Sequence, residues 1–201
     1  MGGTGMKRGQ TFQRFPLASR WRERIVLRDG RELLLRPIHA ADSEPIRNGF
    51  ALLGADEIRM RYQHPMKSLG EDYLYRLTHP RRGRECVLVL AEPLPPGEAL
   101  IGAVARLSRE EGSDEAGFAI LVSRFLAGQG LGRLLMGKLI TCARRRRLRS
   151  IYGDVLEENT PMQRLAESLG FHREATDHPG SVRMRLSLQR DGSAQPCGTG
   201  Q

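Results

Sequence analysis

Residues 127–135, AGQGLGRLL, constrain this chain more than any other stretch: three glycines in five positions stand between a strand-like run and a helical one. Residues 117–122 ahead of them have strand character. Behind them Leu131, Leu134, Leu135, Leu139, Cys142 and Ala143 recur at the spacing of one helix face. A strand that turns through glycine into a helix leaves several backbone N–H groups unpaired at the positive end of the helix dipole, a ready seat for phosphate. Spacing narrows the kind of phosphate ligand. The dinucleotide fingerprint GxGxxG fails, because Gly128 and Gly130 are followed by Arg133, and Gly130 and Gly132 by Leu135. Gly132, Gly137 and Lys138 imitate GxxxxGK, but Leu139 replaces the hydroxyl that would hold magnesium, and these residues lie inside the helix. A merely structural turn would lower helix propensity with three glycines for no gain.

The rest of the chain builds a sheet around that turn. Residues 25–27 and 32–36 flank Asp29 and Gly30, a dipeptide suited to the positive φ angles of a hairpin. Asp42 is placed to cap a helix reaching about Leu53, and a second helical stretch includes residues 58–62. Ser68 with Glu71 makes a capping-box pattern before Tyr73, Leu74 and Leu77. Residues 86–91, 100–107 and 117–122 read as an antiparallel meander, and residues 150–155 as another strand. Thr160, Pro161 and Gln163 give an N-cap, a first-turn proline and a capping-box partner for a helix ending near Gly170. Residues 171–174 and 182–188 are the last strands. The expected fold class is α/β: a mixed, mostly antiparallel twisted sheet of about six or seven strands flanked by about four helices.

With 201 residues, 39% hydrophobic and 27% charged, the chain suits one domain with a buried core. Its longest apolar runs, such as residues 86–91, fall far short of the roughly 20 residues that cross a bilayer, so no membrane partner is expected. A net charge of +9 suits an anionic partner. The charge is uneven: residues 124–149 hold eight basic and no acidic side chains, whereas residues 85–120 hold seven acidic and two basic, which predicts one cationic and one acidic face. Cys86, Cys142 and Cys197 are odd in number and lack zinc spacing, which predicts no metal site and a reducing cytoplasmic location. Residues 1–10 carry no export signal, and Met6 stands where N-myristoylation requires Ser or Thr. Residues 1–20 are expected to form a disordered basic tail, 21–188 the working domain and 189–201 a second disordered tail.

Residues 118–122, the turn AGQGLGRLL, the segment IYGDVLEEN and the segment PMQRLAESLGF resemble the cofactor-binding half of the GNAT superfamily of N-acetyltransferases. LRPIHAAD, residues 61–77 and RECVLVLAE are similar to bacterial protein lysine acetyltransferases within it, and the resemblance runs from about residue 25 to 188. It implies acetyl-coenzyme A as co-substrate, laid between the strand ending at Val122 and the strand of residues 152–155. It further implies that Ile120, Leu121 and Val122 bond the pantetheine through their backbone, and that Ala127, Gly128, Gln129, Gly130, Leu131, Gly132 and Arg133 hold the pyrophosphate. Asn159 matches a pantetheine-contacting asparagine, with helix initiation as its alternative role. Ala127 departs from the usual Gln or Arg, and Arg124, Arg133 and Lys138 are nearby cations that would compensate.

Acyl transfer needs a neutral amine, and a free lysine has a pKa of about 10.4, so a carboxylate or a water relay takes the proton. Related protein acetyltransferases carry a glutamate just before the aromatic residue matching Phe118; here that position is Gly117. Glu115, two residues earlier and about 7 Å away on the same strand face, is one substitute. Glu85, which matches a glutamate frequent in the family, and Asp154 on the adjacent strand are the others. The superfamily's thiolate-protonating tyrosine is replaced by Ala166, and a thiolate of pKa near 8.5 leaves without strong acid help.

The function implied is acetyl transfer to a primary amine, foremost a protein lysine, by direct attack in a ternary complex. A main-chain N–H near Val122 would polarise the thioester, the acidic region would favour a cationic acceptor, and the assembly would be a monomer or homodimer. Two other readings stay open. One is a sensor that binds acyl-coenzyme A without turnover, its base lost at Gly117. The other is a nucleic-acid-binding protein using Arg144 to Arg147 and Arg149. That run lacks interleaved aromatics and also complements the negative end of its helix, so no nucleic-acid partner is expected.

Overall fold

The computed structural model describes residues 11–188 apart from 18, 20 and 65. Its strands are β1 (Phe12–Pro16), β2 (Glu23–Leu27), β3 (Glu32–Pro37), β4 (Glu85–Ala91), β5 (Ile101–Ser108), β6 (Glu115–Val122), β7 (Ser150–Leu156), β8 (His172–Glu174) and β9 (Ser181–Ser187). They form one sheet in the order β1-β2-β3-β4-β5-β6-β7-β9-β8, in which β6 and β7 are parallel and every other neighbouring pair is antiparallel. Helices α1 (Ser43–Ala51), α2 (Ala55–Tyr62) and α3 (Glu71–Thr78) pack on one face with Val87, Val89 and Ala91 of β4. Helix α4 (Leu131–Arg145) packs on the other face, where Leu131, Leu134, Leu135, Met136 and Leu139 meet Leu88, Leu90, Ala105, Phe118 and Ile151. Helix α5 (Thr160–Glu167) joins that side through Ala166. Alternation along β4 sends odd residues to one helix layer and even residues to the other, which is why this strand reads as a continuous apolar run.

The α/β class, the Asp29–Gly30 hairpin and the meander stand as expected, but among the described residues there are nine strands and five α-helices. The first helical region breaks at Leu52–Gly54, so α1 and α2 are separate. The expectation of disorder through residue 20 is corrected at residues 12–16: β1 pairs with β2 over five residues, buries Phe12 to 6% exposure and ties Arg14 to Glu23. Residues 1–10 and 189–201 lie outside the described residues. Gly70 precedes α3, and no side chain caps that helix, so the Ser68–Glu71 capping box does not form. Asn159, not Thr160, caps α5 by accepting from Met162 N, while Gln163 Nε2 donates instead to the carbonyls of Leu156 and Glu157.

The motif LRPIHAAD has a physical meaning in this fold. Arg36 and Asp42, 2% and 0% exposed at the side chain, form a two-pronged ion pair of 2.6 and 2.8 Å between β3 and the turn leading into α1. Asp42 also accepts from the His39 backbone N–H at 2.8 Å, so it closes the turn rather than capping α1 through its side chain. Burial opposes ionisation of Asp42, but the hydrogen bonds from Arg36 and His39 outweigh it and hold the carboxyl below the usual range.

Removing one partner strands the other charge in the core, so Asp42→Ala is expected to cost about 3–5 kcal/mol in urea unfolding. An unchanged midpoint would show that the pair is not structural. Glu23 and Glu85 are likewise held low against the burial penalty, Glu23 by the side chains of Arg14 and Lys138, and Glu85 by the Arg81 backbone N–H and then Arg106. For such groups the stabilisation is present above the unfolded-state pKa and lost as pH falls through the folded-state value. The thermal midpoint should therefore hold from pH 7 to 5 and fall steeply below about pH 4.

Candidate active site

β6 pairs with β5 from Ser108↔Gly117 to Ala103↔Val122, but with β7 only at Glu115↔Ser150, Ala116↔Ile151 and Gly117↔Tyr152. Beyond Gly117 the two parallel strands part. Phe118, the first residue past the paired stretch, lays its ring against Gly153 of β7: a β-carbon there would sit 2.7–2.9 Å from three ring atoms. Phe171 packs edge-on against the same ring at 5.4 Å. Phe118 thus covers Gly153 on the α4 face at the point where the strands part. The backbone of β6 beyond Gly117 is left with a free edge on that side.

A solvent-open cleft of about 390 Å³ lies along this edge, between the end of β6, the glycine turn and the start of α5. Ile120, Leu121, Val122, Ala127, Gly128, Gly130, Leu131, Gly132 and Asn159 all line it, so the structure brings together nine of the eleven residues assigned to the cofactor by resemblance. Gln129 and Arg133 stand apart from this lining: the Gln129 carbonyl accepts from Thr11 Oγ1, and the exposed Arg133 donates to Ser168 Oγ at 2.5 Å. Lys138 ion-pairs with Glu23 of β2, and Arg124 stacks on Phe125. Residues the sequence reading missed complete the walls: Met60 and Arg61 from α2, and Met162 and Leu165 from α5. Their roles depend on how helices dock, which local periodicity does not encode.

The turn has the geometry its glycines allow. Gly128 and Gly130 have φ of +71° and +75°, a region in which side chains are strained. Gly130 is the N-cap of α4 and no side chain caps that end, so the first N–H groups of the helix face the cleft unclaimed by a capping group. The chemistry of this site fits an acyl-coenzyme A. A free strand edge offers N–H and C=O groups to the amides of pantetheine in the manner of an added strand, and a helix N-terminus receives the pyrophosphate.

Each of the three candidate carboxylates is paired. Glu115, at the closed end of the gap, accepts from Ser150 Oγ at 2.8 Å and Arg185 at 2.6 Å, with Arg149 at 3.1 Å. Those bonds, Ser150 first, hold its carboxyl low despite some desolvation. Asp154 on the opposite arm is gripped by Arg183 at 2.7 and 2.8 Å, which lowers its pKa. Glu85, buried on β4, accepts from Arg81 N at 2.8 Å, Arg106 at 2.5 Å and Ser108 Oγ at 3.2 Å. The acidic stretch thus does not stand as an acidic face beside the cleft; strand pairing brings arginines from β5 and β9 onto it. Of the basic run, Arg146 turns inward to the Glu85 carbonyl, while Arg149 stays exposed and pairs with the exposed Asp114.

The register sets Glu85, Ser108, Gly117, Tyr152 and Arg185 side by side across five strands. Tyr152 lies under both Arg183 and Arg185, at 4.7 and 5.3 Å from ring centre to guanidinium. Ser108, unremarked in the sequence, therefore stands between Glu85 and the open position at Gly117, where a β-carbon would meet only Ser108 O at 3.9 Å. Among the described residues no group of three His, Cys, Asp or Glu is placed to hold a metal, and no helix is long and apolar enough to cross a membrane.

A family profile described as acetyltransferase (GNAT) domain matches residues 32–172. Solved structures share the fold at low identity. The GNAT domain of S. lividans PAT is 24% identical with a TM-score of 0.74, over 86% of this chain and 99% of that one. For yncA from Salmonella typhimurium, solved with its cofactor acetyl-CoA, the values are 20%, 0.60, 82% and 99%. A cAMP-binding acyltransferase from Mycobacterium smegmatis is 22% identical with a TM-score of 0.54, over 90% of this chain and 49% of that one. With the profile spanning the splayed strands, the glycine turn and α5, the chain belongs to the GNAT acetyltransferase family and is an N-acetyltransferase with acetyl-CoA as its co-substrate.

Proposed function

We propose that the amine acceptor is a protein lysine and that the reaction is direct attack in a ternary complex at the mouth of the β6–β7 gap. The observation that carries this reading is the likeness of LRPIHAAD and RECVLVLAE to bacterial protein lysine acetyltransferases, supported by the roles those segments have in the fold: the buried Arg36–Asp42 pair and the strand that presents Glu85. The free thiols of Cys86 and Cys142 support a reducing, cytoplasmic setting.

The backbone N–H of Val122, on the free edge of β6, polarises the thioester carbonyl, whereas the N–H of Leu121 points to β5. The lysine nitrogen forms the new C–N bond, the C–S bond breaks, and coenzyme A leaves as a thiolate. The nitrogen's proton passes to water in the open space at Gly117, then through Ser108 Oγ to Glu85. Glu115 and Asp154 are alternative acceptors, each more exposed than Glu85 and each held by its own arginine. Because Glu85 is held below the ordinary carboxylate range, it stays ionised at neutral pH and the acceptor amine sets the pH dependence.

Labelled acetyl transfer from acetyl-CoA into a deacetylated bacterial lysate tests the acceptor. Label in protein supports the lysine assignment, and label confined to small molecules overturns it. Gly128→Val and Gly130→Val should weaken coenzyme A binding at least 10-fold, since each forces a β-branched residue to positive φ; unchanged affinity in calorimetry would remove the turn from the site.

For the wild type, kcat/KM should rise with pH toward about 10, following the lysine rather than an enzyme base near 7. Gly117→Glu fits the open position and should raise activity at pH 7 by about 10-fold or more, with Glu85→Gln and Ser108→Ala each lowering it. Full activity in both of the latter variants would discard the Ser108–Glu85 route.

A further inference from the structure

The first two residues of the described chain meet the phosphate turn across 118 positions of sequence. Thr11 Oγ1 donates a hydrogen bond to the Gln129 carbonyl. A β-carbon built on Gly130 would lie 3.5 Å from Phe12 Cε1 and 3.6 Å from Thr11 Oγ1, so both side chains rest against the turn at van der Waals distance. They are themselves firmly placed. Phe12 is buried in the α4-side core, and β1 pairs with β2 from Phe12↔Leu27 to Pro16↔Glu23. Arg14 binds Glu23 at 2.8 and 2.9 Å, and Lys138 of α4 reaches the same carboxylate. The edge strand is thus fastened to the glycine turn directly, and to the second turn of the following helix through Glu23.

This fastening bears on the turn's chemistry. In a trans peptide the C=O and the next N–H point in opposite directions. Holding the Gln129 carbonyl toward Thr11 therefore aims the Gly130 N–H away from β1. Gly128 and Gly130 give the turn the conformation it needs but nothing that keeps it there, because glycine has the widest choice of backbone states. A turn already fixed spares a ligand the entropy of ordering it.

We propose that β1 is a positioning element of the acyl-donor site: Thr11 and Phe12 hold residues 128–132 in the phosphate-binding conformation, and affinity for the pyrophosphate half of the donor depends on them. The strand lies outside the family match at residues 32–172. The proposal rests on the reading of the glycine turn as the pyrophosphate seat.

The test uses the full chain with Phe12→Ala, Thr11→Val and the conservative Thr11→Ser, and with Leu77→Ala as a control that loosens the core on the opposite face. Two acyl donors are compared: acetyl-CoA, and S-acetylpantetheine, which has no pyrophosphate. Phe12→Ala and Thr11→Val should raise KM for acetyl-CoA about 5- to 20-fold with kcat within 2-fold of wild type, leave S-acetylpantetheine unaffected, and speed amide exchange at residues 128–132 in the free protein. Thr11→Ser should match wild type, and Leu77→Ala should not discriminate between the donors. Equal losses with both donors, or unchanged KM and unchanged exchange, would overturn the proposal. If the wild type neither binds coenzyme A nor uses either donor, the donor-site reading falls on its own, and the exchange comparison still decides whether β1 holds the turn.

Discussion

Everything functional in this molecule follows from β6 losing its hydrogen-bonded partner after Gly117. An interior strand with a bare edge is costly in an ordinary sheet, because backbone groups there need either a partner or water. Here each arm of the gap is secured from its far side, β6 by β5 and β7 by β9 along its whole length. The Phe118 ring lies against Gly153 at the point where the arms separate. The bare edge is then a permanent vacancy for one extended chain of amides. The helix that begins just beyond β6 places its N-terminus at the outer end of the same vacancy.

Electrostatics in this basic chain work largely inward. Arginines pair with the carboxylates that the sheet would otherwise leave exposed or buried alone: Arg36 with Asp42, Arg106 with Glu85, Arg183 with Asp154, and Arg185 with Glu115. The two-pronged pairs, Arg36–Asp42 and Arg183–Asp154, fix geometry, since a bidentate guanidinium tolerates little rotation. They also shape the chemistry. A carboxylate that is stabilised as an anion is a weak proton acceptor, so the proton's departure is governed by the substrate and by water more than by a tuned enzyme base.

Legibility in the sequence followed how local each interaction is. The glycine turn, the amphipathic α4 and the tight hairpin at Asp29–Gly30 depend on residues within a few positions of one another, and the structure has them where periodicity and turn chemistry place them. LRPIHAAD was visible as a motif, yet its reason, a charge pair closed across six residues and sealed by core packing, was not. The Gly, Lys and polar residues that dominate the start of the chain point to a disordered tail and hide β1, whose order comes from β2, with Leu27 and Glu23 opposite its two ends in the sheet. Ser108 acquires meaning only through the register that sets it between Glu85 and Gly117. The carboxylates were legible as candidates, but their arginine partners arrive from strands up to 70 residues away.

The family match begins at residue 32, whereas the sheet begins at residue 12. A polypeptide begun at residue 32 would lose β1 and β2, leave Leu33 and Leu35 without their neighbouring strand, and shed Phe12, Ile25 and Leu27 from the core. It would also turn β3, a strand now bonded on both sides, into a long uncapped sheet margin of the kind that recruits other chains. Homology defines the catalytic unit here; solubility as an independent folding unit is defined by a longer stretch of chain, and the two should not be equated when such domains are excised or fused.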